Sequence, residues 1–305
     1  TNLSREHIES HGSFENYRNA KLELFKACKR NHIINTDDEN AKYFLSIPAI
    51  FNFQFSIERS AEQATNKFSM PNFQTIRVKN VETNQDGISF QISNFKFQIP
   101  LIGVFNVYNA LAAISVAKVY GINFETCKKA LEKAKGIAGR MEIIQKEPFK
   151  VIVDYAHTPE QLENVYKSLD SRFRGNDSGG LICVLGSCGG GRDKWKRPVL
   201  GEIAKKYCKE IIITNEDPYD ENPRQILSEI KSGISNSKFL ISNFYEILDR
   251  KEAIKKAISL AKPGDTVIIT GKGSEPWMCV ANGKKVPWSD KRIVEEEVNK
   301  KIFTP

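Results

Sequence analysis

A short apolar run that leads into a helix start lies near the middle of this chain. Phe149–Val153 is apolar except for Lys150, and this pattern predicts a buried strand. Thr158 suits the N-cap of a helix, and Pro159 suits the first helical turn, where its missing backbone N–H costs nothing. A buried strand that leads directly into a helix indicates an α/β fold.

Three polar side chains lie between that strand and that helix, namely Asp154, Tyr155 and His157. Open α/β sheets bind their ligands beyond the carboxyl ends of the strands, so these residues are candidates for a binding site. The alternative is that Asp154 and His157 only cap the following helix.

A second segment repeats this arrangement. Leu181–Leu185 is apolar throughout and is followed by Gly186–Lys194, which contains three consecutive glycines at Gly189–Gly191. Glycine triplets are often plain flexible loops. Four cations follow this one, however, and free backbone N–H groups beside cations are typical of an anion-binding turn. The cations are Arg192, Lys194, Lys196 and Arg197.

The order of elements favours two domains. Strands near residues 150, 183, 211 and 267 alternate with helices near 160–170, 197–207, 223–233 and 249–261, which predicts a doubly wound, mostly parallel sheet. Before them we expect a helix over 13–30, a short strand at 33–34, several strands within 46–99, and helices over 105–120 and 124–135. Gly136 and Gly139 flank the expected hinge, with domains at 1–138 and 139–305. Residues 171–180 are polar and glycine-rich, and we interpret them as an exposed, inserted loop without a catalytic part.

Composition excludes few function classes. The net charge of +8 is compatible with nucleic-acid binding, but no zinc-finger spacing, RNA-binding motif or basic amphipathic block accompanies it. Anionic substrates or a solubilising surface explain the charge as well. No apolar run approaches the roughly 20 residues that span a bilayer, and we expect no signal peptide. The six cysteines show no CxxC pairing, so we expect reduced thiols and a cytoplasmic protein.

The strand-end segments resemble the C-terminal domain of the Mur ligases, on Asp154–Pro159, Gly189–Lys194 and Lys196–Pro198. Within that family the chain is most similar to the branch that adds the third residue of the peptidoglycan stem peptide. Further segments match the family in the family's order, and they are Thr1–Gly12, Tyr17–Lys21, Ile33–Asp38, Phe105–Ala113, Gly139–Glu142 and Gly271–Gly273. Together they cover nearly the whole chain.

The resemblance implies part of a Mur ligase central domain followed by a Rossmann-like, doubly wound C-terminal domain. The sequence contains no Gly-x-x-x-x-Gly-Lys-Ser/Thr loop, which cradles phosphates in such ligases. In the family that loop lies upstream, after an N-terminal domain that binds the UDP sugar. We therefore expect the chain to be a piece of a longer protein and to turn over little ATP by itself.

The implied activity is an ATP-dependent amide ligation with Mg²⁺. The expected substrates are a UDP-N-acetylmuramoyl dipeptide and a diamino acid, without nucleic acid or membrane, and we expect a monomer. The alternatives are a cyanophycin-type or folylpolyglutamate-type ligase of the same superfamily, and a non-catalytic module that binds a nucleotide or an amino acid.

The resemblance also implies roles for residues of the first half. Arg5 matches a substrate-binding position and His7 a Mg²⁺ ligand, although Glu6 stands where the family has Asp. Lys21 matches the lysine that is carbamylated, which would convert a cation into an oxygen ligand for Mg²⁺. Two asparagines three residues apart share one helical face and match the nucleotide-binding helix, and they are Asn106 and Asn109. Each of these residues has an ordinary alternative, such as an exposed helical lysine or an asparagine N-cap.

In the second half, Arg140 matches the arginine that reaches the γ-phosphate when the domains close. Asp154, Tyr155 and His157 match positions beside the nucleotide. Arg192 matches the arginine that grips the carboxylate of the incoming amino acid, a task that suits a guanidinium fork.

The specificity segment departs from the family pattern. Diaminopimelate ligases carry Asp-Asn-Pro-Arg, whereas this chain has Glu216 and Asp217 in the first two places and Tyr219 in place of the arginine. Gly271 and Glu275 match substrate-binding positions, but Ser274 replaces the usual histidine. Glu275 is therefore expected to hold a side-chain ammonium, and the identity of the amino acid stays open.

Overall fold

The computed structural model describes residues 2–58, 73–84, 87–170, 179–236 and 243–303. The chain forms two compact units, Thr1–Lys135 and Gly136–Pro305. The expected loop at 171–180 lies outside the described residues except at positions 179 and 180.

The first unit contains a five-stranded sheet in the order β1-β2-β3-β4-β5, in which β1 to β3 are parallel and β3 to β5 antiparallel. Its strands are β1 Asn31–Asn35, β2 Phe51–Ile57, β3 Phe73–Asn84, β4 Gly87–Ile92 and β5 Phe95–Ile99. Its helices are α1 Ile8–His11, α2 Phe14–Ala27, α3 Ala41–Leu45, α4 Phe105–Val119 and α5 Phe124–Leu131. The strands expected within 46–99 are thus present in the described part.

The core of this unit lies between the antiparallel strands and α4. Phe90 and Phe97 stack with their ring centroids 5.2 Å apart, and both are buried. Val107, Leu111 and Ile114 of α4 pack in the same cluster, at the spacing that places residues on one helical face. This packing holds the helix that carries Asn106 and Asn109.

The second unit contains a six-stranded sheet in the order β10-β9-β8-β11-β7-β6, parallel except for the edge strand β6. Its strands are β6 Glu142–Gln145, β7 Lys150–Val153, β8 Leu181–Leu185, β9 Glu210–Ile213, β10 Asn243–Glu246 and β11 Thr266–Ile269. Its helices are α6 Pro159–Leu169, α7 Lys196–Tyr207, α8 Pro223–Asn236, α9 Arg250–Leu260 and α10 Asp290–Phe303. Trp277–Val280 (β12) and Lys284–Pro287 (β13) form a hairpin.

The predicted doubly wound sheet is confirmed. Its inner strands lack polar alternation because helices cover both faces, and all five residues of β8 are buried. Thr158 caps α6 as predicted, since its hydroxyl accepts the backbone N–H of Gln161 at 3.2 Å. The hairpin and α10 were not predicted, because their short or charged segments carry weak periodicity.

Two helix expectations differ in detail. Helix α5 ends at Leu131 rather than near 135, and the N-cap of α4 is Val104, so Asn106 lies inside the first turn. Within the described ranges, no helix combines the length and apolarity that a membrane crossing requires.

The expectation of six reduced cysteines was wrong. Cys183 and Cys208 form a disulfide, with their Cα atoms 6.1 Å apart, while the other four cysteines are free. Cys183 lies on β8 and Cys208 directly follows α7, two positions that the parallel crossover brings together. The wide spacing of 25 residues gave no signal in the sequence.

We predict four titratable thiols per denatured chain before reduction and six afterwards. The Cys183→Ser variant should lose about 3–4 kcal/mol of unfolding free energy relative to the oxidised protein, because a closed loop of this length restricts the unfolded chain. Thiol titration with a chromogenic disulfide and urea unfolding check these values. Cys28→Ser, at an exposed free cysteine, serves as the control, and six thiols before reduction would contradict the pairing.

Candidate active site at the carboxyl ends of the strands

The sheet order places four strand ends side by side. Because β7, β11, β8 and β9 are consecutive and parallel, the loops that follow them meet at one edge of the sheet. These loops carry most of the predicted site residues of the second unit. The edge is the usual ligand-binding place of such sheets.

Lys272 forms the buried centre of this edge. Its side chain is 1% exposed, and its ammonium donates to both carboxylate oxygens of Asp217 at 2.9 and 2.7 Å and to Oε2 of Glu275. Burial opposes the charge, but the hydrogen bonds that the ammonium donates to Asp217 and Glu275 outweigh it and raise the pKa of Lys272. Lys272 is therefore already neutralised by two carboxylates. It is not a spare cation for a substrate carboxylate.

Tyr155 lies beside this cluster. Its hydroxyl donates to Oε1 of Glu275 at 3.0 Å, and the Arg140 guanidinium stacks over its ring, 4.4 Å from the centroid. Burial and the hydrogen bond to Glu275 raise its pKa to about 12. His157 completes the group, with Nδ1 2.9 Å from the Tyr155 carbonyl oxygen. The structure thus joins Arg140, Tyr155 and Glu275, which the sequence only suggested separately.

The Asp154 carboxylate forms hydrogen bonds with backbone N–H groups. It accepts the N–H groups of Met141 at 2.6 Å and Ala156 at 2.7 Å. Burial raises its pKa, against the opposing effect of these two hydrogen bonds. Its observed contacts tie the segment that carries Arg140 to the end of β7.

Glu216 belongs to the specificity segment, although the sequence pattern assigned it no role of its own. It is 1% exposed, Oε1 accepts the Cys188 thiol at 3.0 Å, and Oε2 has no hydrogen-bond partner among the described residues. The neighbouring hydroxyl of Ser187 is also buried and unpartnered in that part of the chain. A buried carboxylate oxygen without a donor is costly, so a hydrogen-bond donor at this position would be stabilising.

Two glycines make room for that carboxylate. A Cβ at Gly271 would overlap Oε2 of Glu216, and a Cβ at Gly186 would lie 2.7 Å from the Glu216 Cβ. Gly271 has a φ of +105°, which side chains rarely tolerate. The sequence selected Gly271 as a site residue, but it did not reveal that this glycine makes room for Glu216.

Tyr219 and Asp217 lie in a strained turn. Their φ values are 51° and 35°, a region that residues other than glycine seldom adopt. Strand β12 holds the turn, because the Cys279 N–H donates to Asp217 at 2.7 Å and its carbonyl accepts the Tyr219 N–H at 3.2 Å. The Tyr219 ring lies against the place where Gly190 has no side chain. The space beside Gly190 is therefore filled by an aromatic ring.

Two of the four cations after the glycine triplet, Lys194 and Arg197, pair with glutamates. Arg197 is fully buried, donates to Glu229 at 2.6 Å and Glu221 at 3.0 Å, and binds the Cys188 carbonyl at 3.1 Å. Lys194 also pairs with Glu221, at 3.5 Å. Arg192 is exposed. Arg197 thus stabilises the loop.

Arg250 was also not selected from the sequence. Its buried guanidinium forms a bidentate pair with Asp290 at 2.9 and 2.7 Å, and it donates to the carbonyls of Thr270 at 2.8 Å and Asn215 at 3.5 Å. These carbonyls directly precede Gly271 and Glu216. One side chain therefore connects the ends of β9 and β11.

Three predicted site residues of the first unit lie near the start of the chain, namely Arg5, His7 and Lys21. His7 precedes α1 and is exposed, and its ring lies 5.6 Å from that of Tyr17. The Lys21 ammonium lies 5.4 Å from the same ring, so Tyr17 stands beside both residues. Arg5 is exposed.

The two asparagines of α4 contact each other, as their spacing suggested. The Asn109 amide donates to Oδ1 of Asn106 at 3.0 Å, and the Asn106 amide donates to the Ile102 carbonyl at 2.8 Å. Asn106 is thereby held in place by the backbone before the helix.

The residues as they stand do not fit Mg²⁺. Magnesium takes oxygen ligands, whereas His7 offers an imidazole and an unmodified Lys21 offers a cation. No cluster of three His, Cys, Asp or Glu side chains suited to a metal occurs among the residues whose positions are described.

We predict that Arg250→Met costs about 3–5 kcal/mol of unfolding free energy, because it leaves Asp290 buried without its cation. Arg292→Met is the control, since that arginine is 79% exposed and only pairs with Glu296 on the surface of α10. It should change stability by less than about 0.5 kcal/mol. Urea unfolding measures both, and equal losses would contradict the role of the buried pair.

The comparisons with known proteins agree with this architecture. The Mur ligase middle domain matches residues 1–117, and the Mur ligase glutamate ligase domain matches residues 139–273. A UDP-N-acetylmuramoyl-L-alanyl-D-glutamate–2,6-diaminopimelate ligase from Halalkalibacterium halodurans is 36% identical over 314 residues, covering 100% of this chain and 60% of the relative. Its counterpart from Syntrophomonas wolfei is 37% identical and covers 99% of this chain and 59% of the relative.

Solved structures show the same fold. A ligase of that name aligns with a TM-score of 0.57 and 31% identity, over 99% of this chain and 60% of the other. A pseudomurein peptide ligase type C from Methanothermus fervidus aligns with a TM-score of 0.68 and 19% identity, over 99% of this chain and 62% of the other, and is similar in fold alone. The chain spans about 60% of the length of these relatives. With both domain matches in family order and this identity over the whole chain, it belongs to the Mur ligase family.

Proposed function

We propose that the chain carries the amino-acid site of an ATP-dependent ligase that adds a diamino acid to UDP-N-acetylmuramoyl-L-alanyl-D-glutamate. The names of the relatives support the reaction. The observation that carries it is the cluster of Lys272, Asp217 and Glu275 beside Tyr155 and Arg140. A cytoplasmic location, where ATP and UDP-sugars are available, belongs to the proposal.

In this reaction a carboxylate oxygen of the dipeptide attacks the γ-phosphorus of ATP, and ADP leaves. The amine of the diamino acid then attacks the acyl carbon, loses a proton and displaces phosphate. Catalysis of this kind relies on positioning and charge neutralisation. Arg140 would neutralise the transferred phosphoryl group, and Arg192 would bind the carboxylate of the incoming amino acid.

The charges of the candidate site favour a substrate with a cationic far end. Glu216, Asp217 and Glu275 contribute three carboxylates, and the buried cations beside them are already paired, Lys272 with Asp217 and Glu275 and Arg250 with Asp290. Oε2 of Glu216 lacks a donor, which an ammonium would supply. Meso-diaminopimelate carries a second carboxylate at that end, and a buried carboxylate without a cation costs several kcal/mol.

We predict that the chain discriminates less against lysine and ornithine than a diaminopimelate ligase does. Tyr219→Arg should raise the preference for diaminopimelate over lysine by about 10- to 150-fold, the value of one charge-assisted hydrogen bond. Calorimetric titration of the 305-residue chain with each amino acid, with and without the UDP-dipeptide and a non-hydrolysable ATP analogue, measures the ratio.

Tyr120→Arg is the matched control, because Tyr120 is 79% exposed at the end of α4. It adds the same charge and should leave the ratio unchanged. A wild-type preference for diaminopimelate above about 1000-fold would contradict the specificity argument. Failure of every diamino acid to bind under all conditions would contradict the proposed function.

A further inference from the structure

Tyr155 contacts two site residues through different parts of its side chain. Its ring face supports the Arg140 guanidinium, 4.4 Å from the centroid, and its hydroxyl donates to Glu275 at 3.0 Å. Arg140 belongs to the expected phosphate side of the site and Glu275 to the amino-acid side. A single side chain therefore lies between two groups with separate tasks.

Glu275 depends on this hydroxyl for its orientation. Oε2 is held by Lys272, and Oε1 accepts the Tyr155 hydroxyl. The Glu275 side chain is 37% exposed, so solvent and ligands reach it. Because the pKa of Tyr155 is about 12, the phenol stays protonated and remains a donor at neutral pH. Without it, one carboxylate oxygen would be free to rotate toward water.

The surrounding backbone fixes Tyr155 itself. A Cβ at Gly273 would lie 2.8 Å from the Tyr155 Cβ and 2.8 Å from the Gly139 carbonyl oxygen. A Cβ at Gly139 would in turn overlap the backbone of Ser274. The loops at 139–141, 154–156 and 271–275 thus approach so closely that no side chain fits at Gly139 or Gly273. This close packing leaves Tyr155 little freedom to move.

We propose that Tyr155 is a positioning residue that orients Glu275 toward a substrate ammonium through its hydroxyl and supports Arg140 through its ring. This proposal rests on the proposed function and adds to it that the two roles can be separated by mutation. Tyr155→Phe keeps the ring and removes the hydroxyl. Tyr155→Leu removes both.

The expected result is a split between two affinities. Tyr155→Phe should weaken binding of the preferred diamino acid by about five- to tenfold, the usual worth of one hydrogen bond, with the affinity for a non-hydrolysable ATP analogue within about twofold of wild type. Tyr155→Leu should weaken both ligands. Calorimetry of the 305-residue chain provides both measurements.

Tyr207→Phe is the matched control. Tyr207 also donates its hydroxyl to a glutamate, Glu163, at 3.0 Å, but it lies at the carboxyl end of α7, away from the site. If the loss of a tyrosine–glutamate hydrogen bond acted only by destabilising the fold, Tyr155→Phe and Tyr207→Phe would change the two ligand affinities alike. We expect Tyr207→Phe to leave both affinities within about twofold of wild type.

A ligand-free measurement tests the contact itself. The chain is labelled with ¹³Cζ-tyrosine and titrated by NMR. The signal that is present in wild type and absent from Tyr155→Phe belongs to Tyr155 and reports its ionisation. Glu275→Gln should shift that ionisation to lower pH, toward the ordinary value of 10.0, because the neighbouring negative charge is removed. An unchanged ionisation would overturn the proposal.

The two proposals fail in different ways. If wild type binds a diamino acid and Tyr155→Phe binds it equally well, the positioning role is wrong and the proposed function stands. If wild type binds no diamino acid under any condition, the proposed function is contradicted and the positioning role with it.

Discussion

The buried pair of Arg250 and Asp290 connects the parts on which the candidate site depends. The Arg250 guanidinium is buried away from water, and it donates hydrogen bonds to the Asp290 carboxylate and to two strand-end carbonyls. Those carbonyls belong to the residues just before Glu216 and Gly271, so the pair connects two loops of the candidate site. The cost of desolvating a cation is thereby offset where two strand ends would otherwise leave polar groups unsatisfied.

The pocket above this pair is shaped by backbone approach as much as by side chains. Gly186 and Gly271 leave the space that the Glu216 carboxylate occupies, and Gly190 leaves the space against which the Tyr219 ring packs. Asp217 and Tyr219 keep left-handed backbone conformations because β12 supplies hydrogen bonds to the same turn. Such strain persists only where the surroundings compensate for it, which is typical of functional loops. The result is a pocket rich in carboxylates with one neutralised lysine.

Arg197 shows why a run of cations in the sequence is a poor guide to an anion-binding site. Arg197 was grouped with three neighbours as an anion-binding cation, yet it binds Glu221, Glu229 and a loop carbonyl. A run of cations shows that charge is available, but only the fold decides which side chain meets a carboxylate. The same reasoning applies to Cys183 and Cys208, whose pairing follows from a strand-to-helix crossover that sequence spacing does not reveal.

The sequence by itself determined most of the elements and their order, although it did not reveal β6, β10, the hairpin or α10. The apolar strands of the second unit, the Thr158 cap and the alternation of strands and helices are local properties of consecutive residues, and all were predicted and confirmed. It also identified Arg140, Tyr155, Asp217 and Glu275 as candidates, because each matches a position of the Mur ligase segments that the sequence resembles. Only the tertiary structure decided that these four groups form one network, that Glu216 has an unpartnered buried oxygen, and that Arg250 connects the strand ends. Such contacts include ones between residues 15, 20, 55 and 120 positions apart, and they depend on sheet order and loop approach, which no local pattern encodes.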